Sequence, residues 1–331
     1  MVSSMGWSVY VTRRLPEAGL RMLRRACSEV AVYEGDGAVP QAELLRAVRG
    51  RDGLLCLLSD RVDAGVMDAA GAGLKGIAIC AVGYDNVDVA AATARGIPVS
   101  NTPGVLTETT ADLAWALMLA AARRIPESDR LVRSGRWRGW DPLQMLGVDV
   151  YGKTLGVVGA GRIGSAVARR ATGFGMEVLY FDQQGRPELE RTCAARRVSL
   201  EELLRESDFV SLHVPLTPQT RHLIGLRELG MMKETAVLVN TSRGPVVDEA
   251  ALVEALKSGR IFAAGLDVYE NEPALAPGLV GLQNVVLAPH IGSASVATRS
   301  KMAQMAAGDL LAMLAGRRPA SCVNPEVFGP A

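Results

Sequence analysis

The chain has 331 residues, of which 49% are hydrophobic and 21% charged, and its 36 basic residues against 35 acidic ones give a formal net charge of +1. Such a balance supplies no basic excess of the kind that nucleic acid or an anionic membrane attracts, so neither is an expected partner. The length exceeds what one hydrophobic core usually serves, which predicts two domains.

The cysteines and the apolar segments narrow the class of protein further. The five cysteines are scattered and form no C-x-x-C pair, so we expect reduced core residues, with no disulfide framework and no metal site. The N-terminus lacks the apolar segment of a signal peptide, and the longest apolar helical stretch, residues 113–122, is too short to span a bilayer. We therefore predict a soluble protein of the cytoplasm.

Short apolar runs alternate with amphipathic helical segments along the chain, a pattern typical of parallel α/β sheets. In the first hundred residues, strands are predicted for the runs WSVYVT, EVAVYE, GLLCLL, GIAICA and IPVSN. Helices are predicted between them, for example near residues 17–27 and 63–71. These elements are expected to form one βα domain.

A second series of elements follows the turn Asn-Thr-Pro-Gly at residues 101–104, a long helix, and a loop rich in Trp and Gly. Six further strands are predicted for TLGVVGAG, MEVLYFD, DFVSLHVP, TAVLVNTSRG, FAAGLDV and NVVLAP. Ser199, with Glu202 three residues later, predicts a capping box at the start of one helix. The final segment, residues 300–331, contains another helix, which we expect to pack against the first domain.

The first strand of the second series ends in a Gly-x-Gly-x-x-Gly pattern formed by Gly159, Gly161 and Gly164, and a predicted helix follows it. Asp182 lies at the end of the next predicted strand. In a βαβ unit, such glycines allow a tight turn and the close approach of a pyrophosphate, and the acid accepts hydrogen bonds from the adenosine ribose. We therefore predict an NAD site in which Asp182 repels a 2′-phosphate and favours NADH, although the nearby Arg186 leaves NADP possible.

Together these features predict an α/β protein with two Rossmann-like or flavodoxin-like domains, each built on a doubly wound parallel sheet. Residues 1–101 and 299–331 are expected to form a discontinuous substrate-binding (catalytic) domain, and residues 102–298 the NAD-binding Rossmann domain. Ligands of open α/β sheets bind beyond the carboxyl ends of the strands, so we expect the active site in the cleft between the domains.

Polar residues follow three successive strands of the second series. Arg243 follows the fourth strand, Asp267, Glu270 and Glu272 follow the fifth, and His290 follows the sixth. An arginine can bind a carboxylate in a bidentate fork, and a histidine can donate a proton to a carbonyl oxygen as hydride reaches the carbon. A carboxylate can orient the histidine ring. The combination predicts reduction of a 2-oxo acid by Arg243, His290 and one of the two glutamates.

Simpler structural roles remain open for the same residues. His290 also suits an ordinary core histidine, Arg243 a surface residue after a turn, and Glu272 a solvated loop carboxylate. Of the other histidines, His213 is expected to border the cofactor through its loop, and His222 to have no role.

Five motifs occur in a fixed order along the chain: GAGRIG followed by Asp182, HVPLTPQT, NTSRGPVVDEAALVEAL, AAGLDVYENEP and PHIGSAS. With these motifs the chain resembles the D-isomer-specific 2-hydroxyacid dehydrogenase family nearly end to end. The resemblance implies that Arg243 binds the substrate and that Glu272, the glutamate immediately before a proline, orients the histidine. His290 is then the acid/base residue.

The resemblance also implies which residues contact the cofactor and the substrate. The implied cofactor-binding positions are Thr110, Gly159, Gly161, Arg162, Ile163, Gly164, Asp182, His213, Val214, Pro215, Thr220, Thr241, Ser242, Asp267, Gly292 and Ser293. The implied substrate-binding positions are Leu58, the backbone turn at Val82 and Gly83, the side chains of Arg243 and His290, and Trp140 contributed by the other subunit of a homodimer.

Within the family, the stretches DGLLCLLSDRVD, LTETTADLAWALMLAAARR, GRWRGWDP and CVNPEV are most similar to glyoxylate/hydroxypyruvate reductases. We therefore expect a homodimer that uses NADH to reduce glyoxylate or hydroxypyruvate to the D-2-hydroxy acid. Trp140 is expected to reach the active site of the partner subunit. In the alternative, Trp137 and Trp140 both pack within a dimer arm, since Trp is enriched at interfaces.

Three other functions share parts of this pattern. A phosphite dehydrogenase of similar sequence carries a lysine before the glycine of the VGYDN turn, where this chain has Val82. A phosphoglycerate dehydrogenase needs additional basic residues for its phosphate. A corepressor-like member of the family would sense nucleotide and bind partner peptides without catalysis, and a turnover assay separates it from an enzyme.

Overall fold

The computed structural model describes residues 5–329, which form two compact units. The first unit contains the described residues up to Leu106 and those from Ser293 onwards, and the second is Thr107–Gly292. Each unit is built around its own parallel sheet.

The chain passes from one unit to the other at residues 106/107 and 292/293. The boundaries expected from the sequence were 101/102 and 298/299. At the first point, the Thr102 N–H donates to the Ala81 carbonyl at 2.8 Å, which keeps this segment in the first unit. At the second, Ser295 already caps a helix that packs within the first unit.

Strands and helices alternate as the sequence pattern predicts, and we number them in chain order. Within residues 5–329 the strands are β1 (Met5–Val11), β2 (Cys27–Val32), β3 (Gly53–Cys56), β4 (Gly76–Ile79), β5 (Val99–Ser100), β6 (Thr154–Val158), β7 (Glu177–Phe181), β8 (Arg196–Arg197), β9 (Phe209–Leu212), β10 (Val237–Asn240), β11 (Ala263–Leu266) and β12 (Val285–Leu287).

The helices complete the element order. They are α1 (Glu17–Ala26), α2 (Gln41–Ala47), α3 (Ala64–Ala70), α4 (Val89–Ala94), α5 (Thr107–Ala122), α6 (Ile125–Arg133), α7 (Arg162–Ala171), α8 (Pro187–Cys193), α9 (Leu200–Glu206), α10 (Leu226–Leu229), α11 (Glu249–Lys257) and α12 (Val296–Leu314).

The first unit contains a five-stranded parallel sheet in the order β2-β1-β3-β4-β5. Strands β3 and β4 are buried along their whole length, as expected for parallel strands covered on both faces. Helix α12 packs against α1, β3 and β4, so the C-terminal segment completes the core of the N-terminal one.

The second unit contains a seven-stranded parallel sheet in the order β12-β11-β10-β9-β6-β7-β8. Apolar layers cover both of its faces, and the neighbours Val157 and Val158 belong to opposite layers, as the alternation of a strand requires. Six of the strands were predicted, and the doubly wound α/β class is confirmed. The sequence analysis missed β8, a two-residue edge strand of arginines without an apolar run.

The predicted capping box at α9 is only half formed. Ser199 Oγ accepts the Glu202 N–H at 3.1 Å, as predicted. The Glu202 carboxylate pairs with Arg196 on β8 and not with the backbone at the start of the helix. The capping box is therefore incomplete because Glu202 forms an ion pair with an arginine of the edge strand that the sequence analysis missed.

None of the helices within residues 5–329 combines the length and the apolar character that a membrane span requires. The same residues contain no group of three or more His, Cys, Asp or Glu side chains suited to a metal ion. All five cysteines have free thiols.

Candidate active site

The turn between β6 and α7 has the shape that a dinucleotide requires. Gly159 has φ of +92°, and a Cβ there would lie 2.9 Å from the backbone carbonyl of His213, so only glycine fits. A Cβ at Gly164 would lie 2.1 Å from the Gly159 carbonyl oxygen, which explains the close packing of the helix on the turn. A Cβ at Gly161 would meet no atom of the described residues within 4 Å, so the backbone is open to a ligand there.

Helix α7 begins directly after this turn, with Arg162, Ile163 and Gly164 as its first three residues. Its N-cap is Gly161, and no side chain of the described residues caps the helix. Uncapped N–H groups at a helix N-terminus stabilise phosphate charge. The residues present therefore fit the pyrophosphate of a dinucleotide.

Asp182 lies directly after β7 and contacts the glycine turn. Its Oδ2 accepts the Ala160 N–H (2.9 Å) and a guanidinium N–H of Arg186 (3.1 Å), and its Oδ1 accepts the Gln184 N–H (3.2 Å). Burial alone would raise the pKa of Asp182. The hydrogen bonds and the Arg186 charge together have the larger effect, so the pKa lies below its ordinary value. The side chain is therefore an anion near neutral pH.

The loop after β9 also lies against the glycine turn. The His213 ring Nε2 lies 2.8 Å from Ser211 Oγ, and burial lowers the pKa of His213 to about 3. The ring is therefore neutral at neutral pH, which agrees with a bordering role and not with acid catalysis. Val214 follows at once, and its Cγ1 would lie 2.9 Å from a Cβ at Gly159.

The same loop continues through Pro215 to Thr220. Thr220 Oγ1 donates to the Pro215 carbonyl oxygen at 2.6 Å and accepts the Thr217 N–H at 2.8 Å. The Thr220 hydroxyl thus shapes the loop.

Other predicted cofactor positions lie on α5, after β10 and after β12. Thr110 Oγ1 donates to the Gly292 carbonyl oxygen at 3.2 Å. The Ser242 N–H and hydroxyl both donate to Asn240 Oδ1, at 3.0 and 2.8 Å. The hydroxyl of Thr241 is buried without a hydrogen-bond partner among the described residues.

Strands β10, β11 and β12 are neighbours in the second sheet, so the residues that follow them meet at one edge. His290 Nδ1 lies 2.9 Å from Glu272 Oε2, and Glu272 Oε1 accepts the Tyr269 N–H at 3.0 Å. Arg243 is near enough for its charge to act on Glu272. The structure thus brings His290 and Glu272 into contact, at the edge of the sheet where Arg243 also lies.

The electrostatics of this group favour an ionised glutamate. Burial alone would raise the pKa of Glu272. The hydrogen bond to His290 and the charges of His290 and Arg243 together have the larger effect, so the pKa lies below its ordinary value. The His290 and Glu272 side chains remain 25% and 32% exposed, so a small ligand can reach them. Because Nδ1 of His290 faces the glutamate, Nε2 is the ring atom available to that ligand.

The backbone at His290 is held in an unusual conformation by Asp267. His290 has φ of +54°, a left-handed value that is uncommon for a residue other than glycine. Its N–H donates to the Asp267 carbonyl oxygen (2.9 Å), and the Asp267 carboxylate accepts the N–H groups of Ile291 (2.7 Å) and Gly292 (2.8 Å). Burial raises the pKa of Asp267. Ser293, the next residue, begins the second segment of the first unit.

The two candidate glutamates of the β11 loop have different partners. Glu270 Oε1 lies 2.7 Å from His222 Nε2 and 3.2 Å from a guanidinium nitrogen of Arg221. Glu272, and not Glu270, contacts His290. His222, which was expected to have no role, is a partner of Glu270.

Glu249 holds the same loop from the first turn of α11. Its carboxylate accepts the Glu270 N–H at 2.6 Å and the Ala276 N–H at 3.3 Å, and the residue is only 4% exposed. Burial raises the pKa of Glu249. The two hydrogen bonds lie on either side of Glu272, so Glu249 fixes the loop that carries the His290 partner.

In the first unit, two asparagines support the loops predicted to contact substrate. Asn86 Nδ2 donates to the carbonyl oxygens of Leu57 (2.9 Å) and Asp60 (2.8 Å), which flank Leu58. Asn101 Nδ2 donates to the Val82 carbonyl oxygen at 2.7 Å.

Comparison with known proteins places this geometry in a family. Residues 115–292 match the model of the D-isomer specific 2-hydroxyacid dehydrogenase NAD-binding domain. The chain is 54% identical over 322 residues to a glyoxylate reductase of Korarchaeum cryptofilum, with 96% of each chain covered. The chain belongs to the D-isomer specific 2-hydroxyacid dehydrogenase family.

Two solved structures that are similar in sequence have the same fold. The protein TT0316 of Thermus thermophilus superposes with a TM-score of 0.89 at 51% identity, covering 96% of this chain and 99% of that one. An NADPH-dependent glyoxylate/hydroxypyruvate reductase of Sinorhizobium meliloti, solved with NADP and malonate, has a TM-score of 0.87 at 34% identity, covering 99% of both chains. The chain is thus an NAD(P)-dependent dehydrogenase, and its cofactor is a nicotinamide dinucleotide.

Three polar residues that hold loops of the candidate site were not among the site residues predicted from the sequence. Glu249 looked like an ordinary acidic residue in the first turn of a helix, where the helix dipole favours it. Asn86 lies in the stretch CAVGYDNVD, and Asn101 lies next to the Thr-Pro-Gly turn. The position of these two asparagines beside predicted functional turns was the only sign of their role in the sequence.

Proposed function

We propose that this dehydrogenase reduces a small 2-oxo acid, glyoxylate or hydroxypyruvate, to the corresponding D-2-hydroxy acid. The observation that carries the proposal is the 2.9 Å contact between His290 Nδ1 and Glu272 Oε2, at the strand ends where Arg243 also lies. The names of the curated relatives, glyoxylate reductases at 49–54% identity, support the same substrate class.

In the proposed reaction, the nicotinamide supplies hydride to the carbonyl carbon when it is bound. His290 donates a proton to the carbonyl oxygen from Nε2, because Glu272 occupies Nδ1 and orients the ring. The Tyr269 N–H holds the other carboxylate oxygen, so Glu272 stays in place while the proton moves.

Arg243 is proposed to bind the substrate carboxylate with its guanidinium. The N–H groups at Val82 and Gly83 are the second set of donors, as the family resemblance implies. Asn101 supports this role, because its bond to the Val82 carbonyl oxygen fixes the following peptide. The C=O and N–H of a trans peptide point in opposite directions, so the Gly83 N–H points away from Asn101.

The residues proposed to face the rest of the substrate are apolar. Leu58 is 38% exposed on its loop, and Val82 stands where a phosphite dehydrogenase has lysine. Neither side chain can balance the charge of a phosphite or of a phosphorylated substrate. This favours a small uncharged substituent, such as the hydrogen of glyoxylate or the hydroxymethyl group of hydroxypyruvate.

NADH is the proposed preferred cofactor. Asp182 is an anion held at the end of β7 by the Ala160 N–H, at the position where a dinucleotide fold binds the adenosine ribose. A carboxylate there accepts hydrogen bonds from ribose hydroxyls and repels a phosphate.

A homodimer is proposed as the active assembly, with Trp140 of one subunit reaching the active site of its partner. Trp140 is 85% exposed, and Trp137, Leu143 and Tyr151 on the same segment are also exposed. Clustered exposed apolar side chains are typical of a protein interface.

A panel of 2-oxo acids assayed with NADH and with NADPH tests the proposed function. Glyoxylate and hydroxypyruvate should be the best substrates, and hydroxypyruvate should yield D-glycerate on chiral analysis. If neither glyoxylate nor hydroxypyruvate is reduced with either cofactor, the proposed substrate class is wrong.

A further inference from the structure

His222 contacts two different loops of the candidate site. Its backbone N–H donates to the Pro245 carbonyl oxygen at 2.7 Å, on the segment that follows Arg243. Its ring Nε2 lies 2.7 Å from Glu270 Oε1, on the loop that also carries Glu272. One residue therefore joins the segment of the proposed substrate-binding arginine to the loop of the glutamate that orients the acid.

The two loops also pack directly against each other. A Cβ at Gly244 would lie 1.9 Å from the carbonyl carbon of Tyr269, so only glycine allows the two backbones to come so close. Gly244 directly follows Arg243, and Tyr269 donates its N–H to Glu272. With no side chain between the backbones, a shift of one loop moves the other, so a residue that fixes one loop affects both functional side chains.

The backbone of His222 is held in a conformation that is unfavourable for a residue with a side chain. Its φ of +50° lies in the left-handed region, as does the φ of His290. Such a conformation persists where the surrounding contacts hold it, and it is frequent at functional sites. The contacts with the two loops therefore fix His222 against its own backbone preference.

Glu270, the partner of the His222 ring, lies within a group of three glutamates. Burial raises the pKa of Glu249, and the nearby charges of Glu270 and Glu272 raise it further. The Glu270 side chain is only 17% exposed, so water screens its charge poorly. Its carboxylate has two cationic or polar partners, His222 at 2.7 Å and Arg221 at 3.2 Å. His222 makes the shorter contact, and without it the Glu270 carboxylate would be drawn towards solvent and away from the other two.

We propose that His222 is a positioning residue for the reduction. Through its two contacts it fixes the relative position of Glu272 and Arg243 without touching the reacting atoms. The inference rests on the proposed function, because it takes the roles of both side chains from there. If the ring contact is lost, the loop loosens and Glu272 stabilises the protonated form of His290 less well. In a competing explanation, His222 only stabilises the fold.

Steady-state kinetics with NADH and hydroxypyruvate separate the two explanations. His222→Ala should lower kcat/KM by about tenfold, as expected when one hydrogen bond to a carboxylate no longer holds the loop. The Kd of NADH, measured by fluorescence titration, should not change. His222→Gln keeps a side-chain N–H donor at a similar reach and should regain most of the rate. Arg227→Ala is the matched control and should change neither value, because the Arg227 guanidinium is exposed and bonds to the adjacent Glu228 at 2.9 Å.

The pH profile of kcat/KM is the readout that a role in stability alone would not move. The proposed reduction needs the protonated form of His290, so the rate falls as the pH rises. A less firmly held Glu272 stabilises that form less, so the fall should begin at a lower pH in His222→Ala than in the wild type. In His222→Gln, the profile should return to that of the wild type.

Wild-type kcat/KM in His222→Ala would overturn the positioning role. An unchanged pH profile in that variant, with a rate loss that His222→Gln does not restore, would also overturn it and assign His222 to stability alone. If His222→Ala does not fold, His222→Asn must show the same loss and the same shift, since asparagine tolerates a left-handed φ but its amide is too short to reach Glu270. A wild-type protein that binds NADH but reduces neither hydroxypyruvate nor glyoxylate would contradict the proposed function itself, and with it this inference.

Discussion

Replacing Glu249 with alanine would test whether the loop that carries Glu272 is held from α11. The Glu249 carboxylate accepts the N–H groups of Glu270 and Ala276, one on each side of Glu272. The residue is 4% exposed, so water cannot readily take its place. The substitution leaves two N–H groups without their partner.

The magnitude follows from two opposing effects. A fully buried N–H that loses its partner costs about 1–3 kcal/mol, and each of these two part-buried N–H groups should cost an amount near the lower end of that range. The loss is partly offset because the buried carboxylate is itself unfavourable, as the raised pKa of Glu249 shows. We expect the N–H groups to dominate and the free energy of unfolding to fall by about 2 kcal/mol. For a unit of this size, that corresponds to a Tm lower by roughly 4–8 °C.

Activity should fall together with stability. When the loop is free to move, Glu272 no longer fixes His290, and we expect kcat to fall by about tenfold, equivalent to roughly 1.4 kcal/mol of the activation barrier. The Kd of NADH, measured by fluorescence, should not change. Glu249→Gln keeps one acceptor and buries no charge, so its kcat should lie between those of the wild type and the alanine variant.

Glu254→Ala is the matched control for thermal melting and steady-state kinetics. Glu254 lies on the same helix, is exposed, and its carboxylate pairs with Lys257 at 2.9 Å. Its loss should change stability by no more than about 0.5 kcal/mol. A Glu249→Ala variant with the wild-type Tm and kcat would refute the role of Glu249 as the support of the loop.

Three further predictions concern other parts of the site. Asp182→Asn keeps an acceptor for the Ala160 N–H but removes the charge, so kcat/KM with NADPH relative to NADH should rise by roughly tenfold; an unchanged ratio would contradict the role of Asp182. Trp140→Ala should raise the KM for the 2-oxo acid while sedimentation still shows a dimer, whereas dissociation into monomers would favour packing of the dimer arm. The folded-state pKa of Glu272 lies below its ordinary 4.5, so its contribution to stability is present above that pH and lost as the pH falls through the folded value. In urea unfolding at pH 3.5 to 7, Glu272→Gln should therefore lose less stability on acidification than the wild type, and equal losses would contradict this.

The sequence predicted the elements whose residues repeat a local pattern. Apolar runs gave the strands of both sheets, and the glycine spacing with Asp182 located the turn that α7 follows. The edge strand β8 was missed because two arginines form no apolar run. Arg196 takes Glu202 out of the predicted capping box through a contact that no local spacing encodes.

From the residue pattern, only those site residues that directly follow a predicted strand could be located. Arg243 and His290 follow strands that proved to lie on either side of β11, so their approach was foreseeable. The choice between Glu270 and Glu272 was not visible in the residue pattern alone and came from the resemblance to a family. Glu249 escaped notice because its partners lie 21 and 27 residues away, and a buried hydrogen bond over that distance leaves no periodic signal.

The measurement that tests the central claim most directly is the oxidation of NADH with hydroxypyruvate by the wild type and by His290→Ala, with NADH binding measured alongside. If His290 donates the proton, the variant should lose roughly 10²- to 10⁴-fold in kcat, bind NADH as tightly as the wild type, and regain no rate when the pH is changed. Turnover at the wild-type rate in the variant would contradict the assignment of His290 as the acid and, with it, the mechanism built on the Glu272 contact.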